Sequence, residues 1–399
     1  MGHRPNSART ASFDRRRTEI LDVASRLINR AGARGMTLTA VASALDLDTS
    51  SVAYYFKRKE ILAAACLERT VVWMHDAATT AAMLPDPTSR ARAFLAAHFA
   101  LVARQRLPGA GQLAMLADMG SIGAEARRPL DNLYGEMLRI VRLFFAPYGR
   151  EHGLIAATLL IAVVHWMSAW QEEYLDRDLA RAEERVFDIL ACGLGKDEWV
   201  VSSVVPTLLA SGDARERFLR AATLLINRYG YGGASVERIA AELGVSTGSF
   251  YHHLDNKDEL VLDCFRRSFE MLERAQVIGD EGGGSQGERL ARMMASVFAV
   301  QLNDESPLLR SSAYQALPPE LRDRALRRTD QITRHVAGSI ADGVADGSLR
   351  AVDPMLGAHV VLSAVNAAYE LRRWAVRDGV EPIAGQLLAA LRNGILPLA

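Results

Sequence analysis

Apolar residues recur every three to four positions along most of the chain, in stretches that are separated by glycine, proline or short polar segments. This spacing places the apolar side chains on one face of an α-helix. Phe218, Ala222, Leu225 and Ile226 follow the spacing, and Gly230 comes after them as the expected end of the helix. The pattern predicts an all-α protein.

The helical pattern near the start of the chain occurs again in its second half. Residues 17–62 are repeated at 215–260 without insertion or deletion, and the displacement of 198 residues also carries Cys66 to Cys264. Solenoid repeats recur at roughly 20 to 50 residues, whereas this displacement is the length of a whole domain. We therefore predict two tandem copies of one unit.

Each copy predicts three short helices around a tight turn. In the second copy a helix at 235–243 is followed by Gly244, which can adopt the left-handed backbone of a turn. Ser246 can then cap a third helix from Thr247 to about Leu254. This order is that of a helix-turn-helix, whose third helix places its N-terminal residues in the major groove of DNA.

The second copy resembles the DNA-binding domain of the tetracycline-repressor (TetR) family of bacterial transcription regulators between Gly232 and Leu260. The residues that carry the resemblance are Ile239, Ala240, Gly244, Val245, Ser246, Tyr251, Lys257 and Leu260. The resemblance implies that each helix-turn-helix domain is followed by a helical domain that binds a ligand and dimerises.

The first copy resembles the same family but differs at three informative positions. Asp46, Asp48 and Ala53 stand where the second copy has Gly244, Ser246 and Tyr251. Aspartate tolerates a left-handed turn and caps a helix, so the fold is expected to persist. A carboxylate repels phosphate, however, and alanine has no hydroxyl to donate. Two hypotheses stay open: both copies bind DNA, or the first copy has lost this function.

Candidate DNA-binding residues follow from the helix-turn-helix geometry and from the resemblance. They lie on the second and third helices and at the start of the fourth. In the first copy they are Thr37, Thr39, Thr49, Ser50, Ser51, Tyr54, Tyr55, Lys57 and Lys59. In the second copy they are Ser235, Arg238, Ser246, Thr247, Gly248, Ser249, Tyr251, His252 and Lys257. The predicted partner is a double-stranded DNA operator.

The predicted domains are a basic N-terminal arm (1–12), a first helix-turn-helix domain (13–62), a first helical regulatory domain (63–194), a linker (195–212), a second helix-turn-helix domain (213–260) and a second helical regulatory domain (261–399). In the first regulatory domain, helices are predicted at 59–84, 89–105, 109–119, 125–146, 151–175 and 179–192. Proline and glycine separate these helices.

By the resemblance, the last two helices of each copy form a four-helix bundle. The apolar segments 154–170 and 186–194 are then expected to pair with 355–371 and 383–391 within one chain. The linker contains too many apolar residues for a flexible connection, so we expect it to pack along the bundle.

A small apolar or amphipathic ligand is implied by the resemblance. Aromatic, sulfur-containing and polar side chains are candidates to line its pocket, although residues at helical spacing more often pack in a core. The candidates are His98, Met115, Met119, Tyr134, His165, Trp166, Trp170, Met293, Phe298, Tyr314, His335 and Asn366. His359 is a further candidate in the second copy.

The charges of the chain balance, with 47 basic and 47 acidic residues, but their distribution is uneven. The first 34 residues hold eight arginines against three acidic residues. Such a segment is either a solvated tail or an arm that touches DNA, and the sequence leaves both open. No stretch reaches the roughly 18 uninterrupted apolar residues of a membrane span, and the N-terminus has no secretory core, so we expect a cytoplasmic protein without membrane contact.

No pattern of enzymatic or metal chemistry stands out from the sequence. We expect no cofactor and no metal, and the three cysteines are expected to be reduced and packed. Glu172, Glu173, Asp176 and Asp178 suggest a magnesium site, but a solvated helix end is the simpler explanation. The predicted function is a ligand-responsive transcription regulator, and the alternative is a helical protein-interaction or co-regulator protein with degenerate DNA binding.

Overall fold

The computed structural model describes residues 6–116, 119, 122–196, 198–199, 208, 214–246, 248, 257–303, 307–310, 313, 317 and 319–396. Regular structure within these ranges is helical, without a strand, and the prediction of an all-α protein is confirmed. The helices of the first unit are α1 (Asn6–Gly35), α2 (Leu38–Ser43), α3 (Thr49–Tyr55), α4 (Lys59–Ala82), α5 (Pro87–Gln105), α6 (Ala124–Phe144), α7 (Arg150–Trp170) and α8 (Leu179–Cys192).

The second unit repeats this order over its described residues. Its helices are α9 (Ala214–Gly233), α10 (Val236–Glu242), α11 (Lys257–Glu281), α12 (Gln286–Gln301), α13 (Pro319–Ala345), α14 (Pro354–Asp378) and α15 (Val380–Asn393). Each unit places its helix-turn-helix domain before a bundle of longer helices, so the prediction of two tandem units is confirmed.

Several helices begin at local sequence signals. Asp86 accepts a hydrogen bond from Ser89 N at 2.9 Å at the start of α5, and Pro87 stands in its first turn. Ser285 and Glu288 form a capping box at the start of α12. Both arrangements satisfy backbone N–H groups that have no partner within the helix. These starting points follow from neighbouring residues alone.

Gly32 and Gly230 interrupt α1 and α9 at corresponding positions. Both have a φ of 69°, in the left-handed region that favours glycine. The breaks turn the chain from the long first helix towards the second helix of each DNA-binding domain. The expected end of the helical run at Gly230 is therefore confirmed as a backbone break.

The segment predicted as a helix from 109 to 119 is different in the structure. Residues 110–115 form an irregular loop between α5 and α6. Asn29 of α1 donates a hydrogen bond to the Leu113 carbonyl at 2.9 Å and accepts one from Met115 N at 2.8 Å. The helix prediction is wrong because peptide groups of this loop bond to side chains of the DNA-binding domain rather than to one another.

The two units pack against each other through α7 and α8 of the first and α14 and α15 of the second. Just beyond α8 and α15 the two chain segments cross. Leu194 N donates to the Leu391 carbonyl at 2.8 Å, and Ile395 N donates to the Leu190 carbonyl at 2.7 Å. These hydrogen bonds are reciprocal, as at an interface between two copies related by a two-fold axis.

Two glycines allow the backbones to touch at this crossing. Gly193 and Gly394 have φ values of 67° and 84°. A Cβ atom on Gly193 would lie 2.1 Å from the Arg392 carbonyl oxygen, and one on Gly394 would lie 2.1 Å from the Ala191 carbonyl oxygen. Neither distance leaves room for a carbon atom. The two segments can therefore cross only because glycine, which has no Cβ atom, occupies both positions.

The buried apolar residues form two clusters of unequal size. One cluster runs through both regulatory domains and continues into the second DNA-binding domain. The first DNA-binding domain has its own cluster, centred on Ile20, Val41, Val52 and Leu67. The first DNA-binding domain is therefore joined to the rest of the protein by the loop at 110–115 and by α4 and α6, which contribute residues to both clusters.

Helix α7 is a core helix. Residues 150–173 are long and apolar enough to cross a membrane by length and composition alone, but 78% of their most apolar window is buried inside the protein. The helix packs against α6 on one side and α14 on the other. Burial against protein on several sides accounts for its composition.

The linker is described at only a few positions. Trp199 packs against the large apolar cluster, and Leu208 is buried within it. Gly195 pairs with Leu349 through an isolated β-bridge. Most of the linker, and with it most of the expected packing along the bundle, lies outside the described residues.

Candidate nucleic-acid interface

The second helix of the first DNA-binding domain is oriented by a cap and a small buried face. Thr37 Oγ1 accepts a hydrogen bond from Ala40 N at 3.0 Å, and Val41 and Ala42 are buried. Thr39 remains on the exposed side of α2. Of these two candidate residues, Thr37 thus has a capping role and Thr39 is accessible to a partner.

The turn after α2, and the corresponding turn after α10, each use a residue with a left-handed backbone. Asp46 has a φ of 51°, and Gly244 has a φ of 65° at the corresponding position. Aspartate is one of the few residues that adopt this backbone at small cost. The turn therefore survives the replacement of glycine in the first unit, as its sequence predicts.

Helix α3 presents a polar surface opposite its anchor in the core. Val52 and the following Phe56 are buried. Among the candidate DNA-binding residues, Thr49, Ser50, Tyr54 and Lys57 are exposed, while Ser51, Tyr55 and Lys59 are half-buried. Tyr54 stands out because 75% of its surface is exposed. The geometry leaves this helix free to enter a groove.

Asp48 stands at the cap position of α3 but makes no side-chain hydrogen bond there. The expectation that it caps the helix as serine does is wrong. The Asp48 carbonyl accepts from Ser51 N at 2.9 Å, and the carboxylate stays exposed. Asp48 therefore places an exposed carboxylate at the start of α3.

An aromatic group that we did not single out from the sequence lies beside α3. The ring of Phe13, on α1, is 4.7 Å from the ring of Tyr55 and 6.2 Å from that of Tyr54. The rings of Tyr54 and Tyr55 are 5.3 Å apart and perpendicular. The sequence contains one indication of this contact, because Phe13 is an isolated aromatic residue among polar neighbours in the basic N-terminal segment.

The described part of the second DNA-binding domain has the same cap. Ser235 Oγ accepts from Arg238 N at 3.2 Å at the start of α10. The Arg238 guanidinium lies 4.7 Å from the centre of the Tyr229 ring. Ser246 and Gly248 are exposed, and the half-buried Lys257 begins α11. The candidate residues Thr247, Ser249, Tyr251 and His252 lie outside the described residues.

Each DNA-binding domain is attached to its regulatory domain by an asparagine. The arrangement of Asn29 is repeated at Asn227, which donates to the Leu308 carbonyl at 2.9 Å and accepts from Arg310 N at 2.8 Å. We call residues 110–115 and 307–310 the inter-domain loops. Both peptide contacts recur in the two units, so this attachment belongs to the repeated fold.

An arginine and a hydroxyl reinforce the same attachment. Arg267 forms an ion pair with Glu216 at 2.7 Å and donates to the Pro307 carbonyl at 3.2 Å. Ser268 Oγ accepts from Leu309 N at 2.9 Å. In the first unit Arg69 pairs with Asp22 and donates to the Gln112 carbonyl, and Thr70 donates to the Ala114 carbonyl at 2.7 Å. Arg267 and Arg69 thus join each inter-domain loop to an acidic residue on the first helix of its DNA-binding domain.

A cavity of about 60 Å³ lies beside the second inter-domain loop. Its lining is uncharged and includes Ser268, Leu308 and Leu309, which also take part in the attachment of the second DNA-binding domain. Trp166 reaches it from α7 of the first unit. The cavity therefore contacts both the second DNA-binding domain's attachment and the interface between the units.

The candidate ligand residues are dispersed. Trp166 and Asn366 line the cavity. His98 is buried against Trp73 and Phe94, Tyr134 stacks on His165 at 6.0 Å, and Trp170 stacks on His359 at 5.0 Å. Met293 and Phe298 are buried in α12, Met115 and Met119 lie near the first DNA-binding domain, His335 is exposed on α13, and Tyr314 lies outside the described residues.

Two buried histidines make stability dependent on pH. Burial lowers the pKa of His98 and that of His359 from 6.5 to about 4. The unfolded chain takes up these protons near pH 6.5 and the folded chain does not, so stability is complete above pH 6.5 and is lost as the pH falls towards 4. Each histidine can reduce the free energy of unfolding by at most about 3 kcal/mol in this way.

We expect the urea midpoint to decrease between pH 6.5 and 4, and His359→Leu to reduce that decrease. His335→Ala, at an exposed position of α13, is the matched control and should leave the pH dependence unchanged. An equally steep decrease in the His359→Leu variant would contradict the assignment.

The remaining candidate chemistry is engaged in packing or ion pairs. Burial raises the pKa of the Cys66 thiol to about 11 and that of Cys264 to about 12, so both stay protonated. Asp176 pairs with Arg106 at 2.7 Å, and Asp178 pairs with Arg181. Within the described ranges, no group of three or more His, Cys, Asp or Glu residues is arranged to hold a metal ion.

Comparison with protein families matches both DNA-binding domains and one regulatory domain. The model for bacterial regulatory proteins of the tetR family matches residues 20–66 and again 218–264. The model for the tetracyclin repressor-like C-terminal domain matches residues 283–394. The two matches of the first model have the same displacement as the internal repeat.

Curated relatives are transcription regulators. The HTH-type transcriptional regulator HbdR of Aromatoleum sp. (strain CIB) is 25% identical over 179 residues, which are 45% of this chain and 78% of the relative. The HTH-type transcriptional repressor DrrR1 of Streptomyces coeruleorubidus is 30% identical over 107 residues, which are 26% of this chain and 40% of the relative. The chain thus spans less than half the length of DrrR1.

Solved structures of transcription regulators match about half of the chain. AibR in complex with isovaleryl coenzyme A and operator DNA is 23% identical, with a TM-score of 0.37, and the match covers 46% of this chain and 100% of AibR. The TetR family transcriptional regulator PfmR from Thermus thermophilus is 25% identical, with a TM-score of 0.36, over 45% of this chain and 98% of PfmR. From the family models that match both units, the chain belongs to the tetR family of bacterial regulatory proteins.

Proposed function

We propose that this helix-turn-helix transcription regulator is a repressor whose two units act as a dimer within a single chain. The observation that carries the intrachain dimer is the reciprocal crossing of the units, in which Leu194 N donates to the Leu391 carbonyl and Ile395 N donates to the Leu190 carbonyl. Reciprocal contacts of this kind are expected at a two-fold interface between identical subunits. In this chain both surfaces come from one polypeptide.

The proposal includes an asymmetric operator. A dimer of identical subunits prefers a palindrome, because its two DNA-binding domains have the same residues. Here the first domain carries Asp48 and Ala53 where the second carries Ser246 and Tyr251. The two half-sites should therefore differ in sequence, and the first should bind more weakly because of the exposed Asp48 carboxylate.

The proposal also includes release from DNA by a small apolar or amphipathic ligand. The uncharged cavity beside the second inter-domain loop supports this part, because Ser268, Leu308 and Leu309 belong both to its wall and to the attachment of the DNA-binding domain. A ligand that displaces this loop would alter the position of α9 through Asn227. Ligand and DNA would then weaken each other's binding by the same factor.

The experiment that tests the proposal measures how many chains bind one operator. Light scattering should give the mass of one chain in solution, and titration of the footprinted operator should saturate at one chain for two half-sites. Two chains on one pair of half-sites would contradict the intrachain dimer. Failure of the protein to retard any duplex DNA would favour the alternative, a co-regulator that acts through protein contacts.

Asp48→Ser tests the asymmetry. We expect operator affinity to rise about fivefold, corresponding to a repulsion of about 1 kcal/mol at an exposed site. Footprinting should assign the gain to one half-site. Glu184→Ser, which removes an exposed charge on α8, is the matched control and should leave affinity unchanged. Equal gains at both half-sites would contradict different roles for the two domains.

A further inference from the structure

The N-terminal extension of α1 differs in sequence between the two units. Residues 6–17 contain four arginines, at 9, 15, 16 and 17, and one acidic residue, Asp14. Arg16 also forms an ion pair with Glu19 at 2.7 Å. The positions that correspond to Phe13, Arg15 and Arg16 in the second unit are occupied by Ser211, Asp213 and Ala214. Apart from Arg17, which corresponds to Arg215, the basic and aromatic residues of this extension have no counterpart in the sequence of the second unit.

Phe13 holds this extension against α3. Its ring contacts those of Tyr54 and Tyr55 at the C-terminal end of α3, at 6.2 and 4.7 Å between centres. One turn closer to the core, the Arg17 guanidinium lies 5.3 Å from the centre of the Phe56 ring. Two successive contacts thus hold α1 along the end of α3.

The exposure of the aromatic residues is unusual for a packed cluster. Phe13 is 39% exposed and Tyr54 is 75% exposed. Ser50, which is also exposed, lies four residues before Tyr54 and therefore on the same face of α3. A helix in the major groove has a phosphate backbone on either side. A basic segment held at the end of that helix is placed to meet the backbone, where arginine contacts are chemically undemanding.

We propose that the extension of α1, docked through Phe13 on Tyr54 and Tyr55, is an additional phosphate-binding surface of the first unit. It supplies positive charge to the domain in which Asp48 adds a carboxylate and Ala53 replaces the tyrosine of the second unit. This inference rests on the DNA binding in the proposed function. Of the two hypotheses for the basic N-terminal segment, it favours an arm that touches DNA over a solvated tail.

The test measures operator affinity against salt concentration for the full-length protein. Each phosphate contact adds about 0.9 to the slope of log affinity against log salt. For Arg15→Gln/Arg16→Gln we expect the slope to fall by about 2. Between roughly 50 and 200 mM salt, the wild type should then lose about tenfold more affinity than the variant. The matched control is Arg177→Gln/Arg373→Gln, which neutralises two exposed arginines outside both DNA-binding domains.

Phe13→Ala tests the docking without changing charge. We expect it to lower the slope as the double arginine variant does, and the triple variant to show no additional decrease, because both changes act through one contact surface. Footprints should shrink at the outer edge of the first half-site only. Circular dichroism checks that each variant remains folded.

The outcomes separate this inference from the proposed function. A wild-type protein that binds no DNA would overturn both. Wild-type binding with an unchanged slope in Arg15→Gln/Arg16→Gln would overturn the phosphate contact alone. Full retention of the slope in Phe13→Ala would overturn the docking of the extension on Tyr54 and Tyr55.

Discussion

Gly193→Ala should destabilise the regulatory core by about 2 to 4 kcal/mol. The new Cβ would lie 2.1 Å from the Arg392 carbonyl oxygen, and the φ of 67° is itself unfavourable for alanine. The left-handed backbone costs roughly 1 kcal/mol, and forcing an atom into packed surroundings costs about 1 to 3 kcal/mol more. Gly394→Ala, at the reciprocal position, should have a similar effect.

Gly347→Ala separates the cost of the left-handed backbone from that of the close contact. Its φ is 83°, but no atom lies within 4 Å of the added Cβ, so only the backbone cost of about 1 kcal/mol is expected. The readout is the midpoint of urea unfolding, because a single free energy of unfolding is not well defined for a chain with several domains. Equal shifts in Gly193→Ala and Gly347→Ala would show that the crossing is not tightly packed.

Arg267→Gln should destabilise the second DNA-binding domain by about 3 to 5 kcal/mol. Its side chain is 6% exposed and that of its partner Glu216 is 12% exposed. Removal of the arginine leaves a buried carboxylate without its ion pair, which is the costly way to break such a pair. The Pro307 carbonyl in the inter-domain loop would lose a donor as well.

The corresponding variant of the first unit provides the control. Arg69 and Asp22 are 26% and 21% exposed, so water replaces part of the lost interaction and Arg69→Gln should cost about 1 to 2 kcal/mol. Unfolding of each domain can be followed by amide hydrogen exchange of α1 and α9. A loss in Arg69→Gln as large as that in Arg267→Gln would contradict the role of burial.

Local sequence signals predicted much of the fold correctly. The helix expected at 179–192 has those bounds in the structure, and the break at Gly230 and the turn at Asp46 follow from backbone preferences of single residues. These features depend on neighbours in the chain, whose effect a sequence pattern records. The two DNA-binding domains were recognised for the same reason.

The candidate sites were less accessible to prediction. The loop at 110–115 has apolar residues at helical spacing, but Asn29 and Thr70 bind its peptide groups from more than 40 residues away. Phe13 had no periodic pattern that linked it to Tyr54. Trp166 and Asn366 line one cavity, whereas His335 lies at the surface. Helical spacing alone does not tell a residue that lines a cavity from one that is exposed.

The sequence by itself determined that the chain has two similar helical units, each with a helix-turn-helix, because repetition and helical periodicity are properties of the order of residues. The tertiary structure decided how the units cross at Gly193 and Gly394, and which loops hold the DNA-binding domains. These contacts join residues far apart in the chain. Their energies depend on burial and distance, which exist only after the helices have packed.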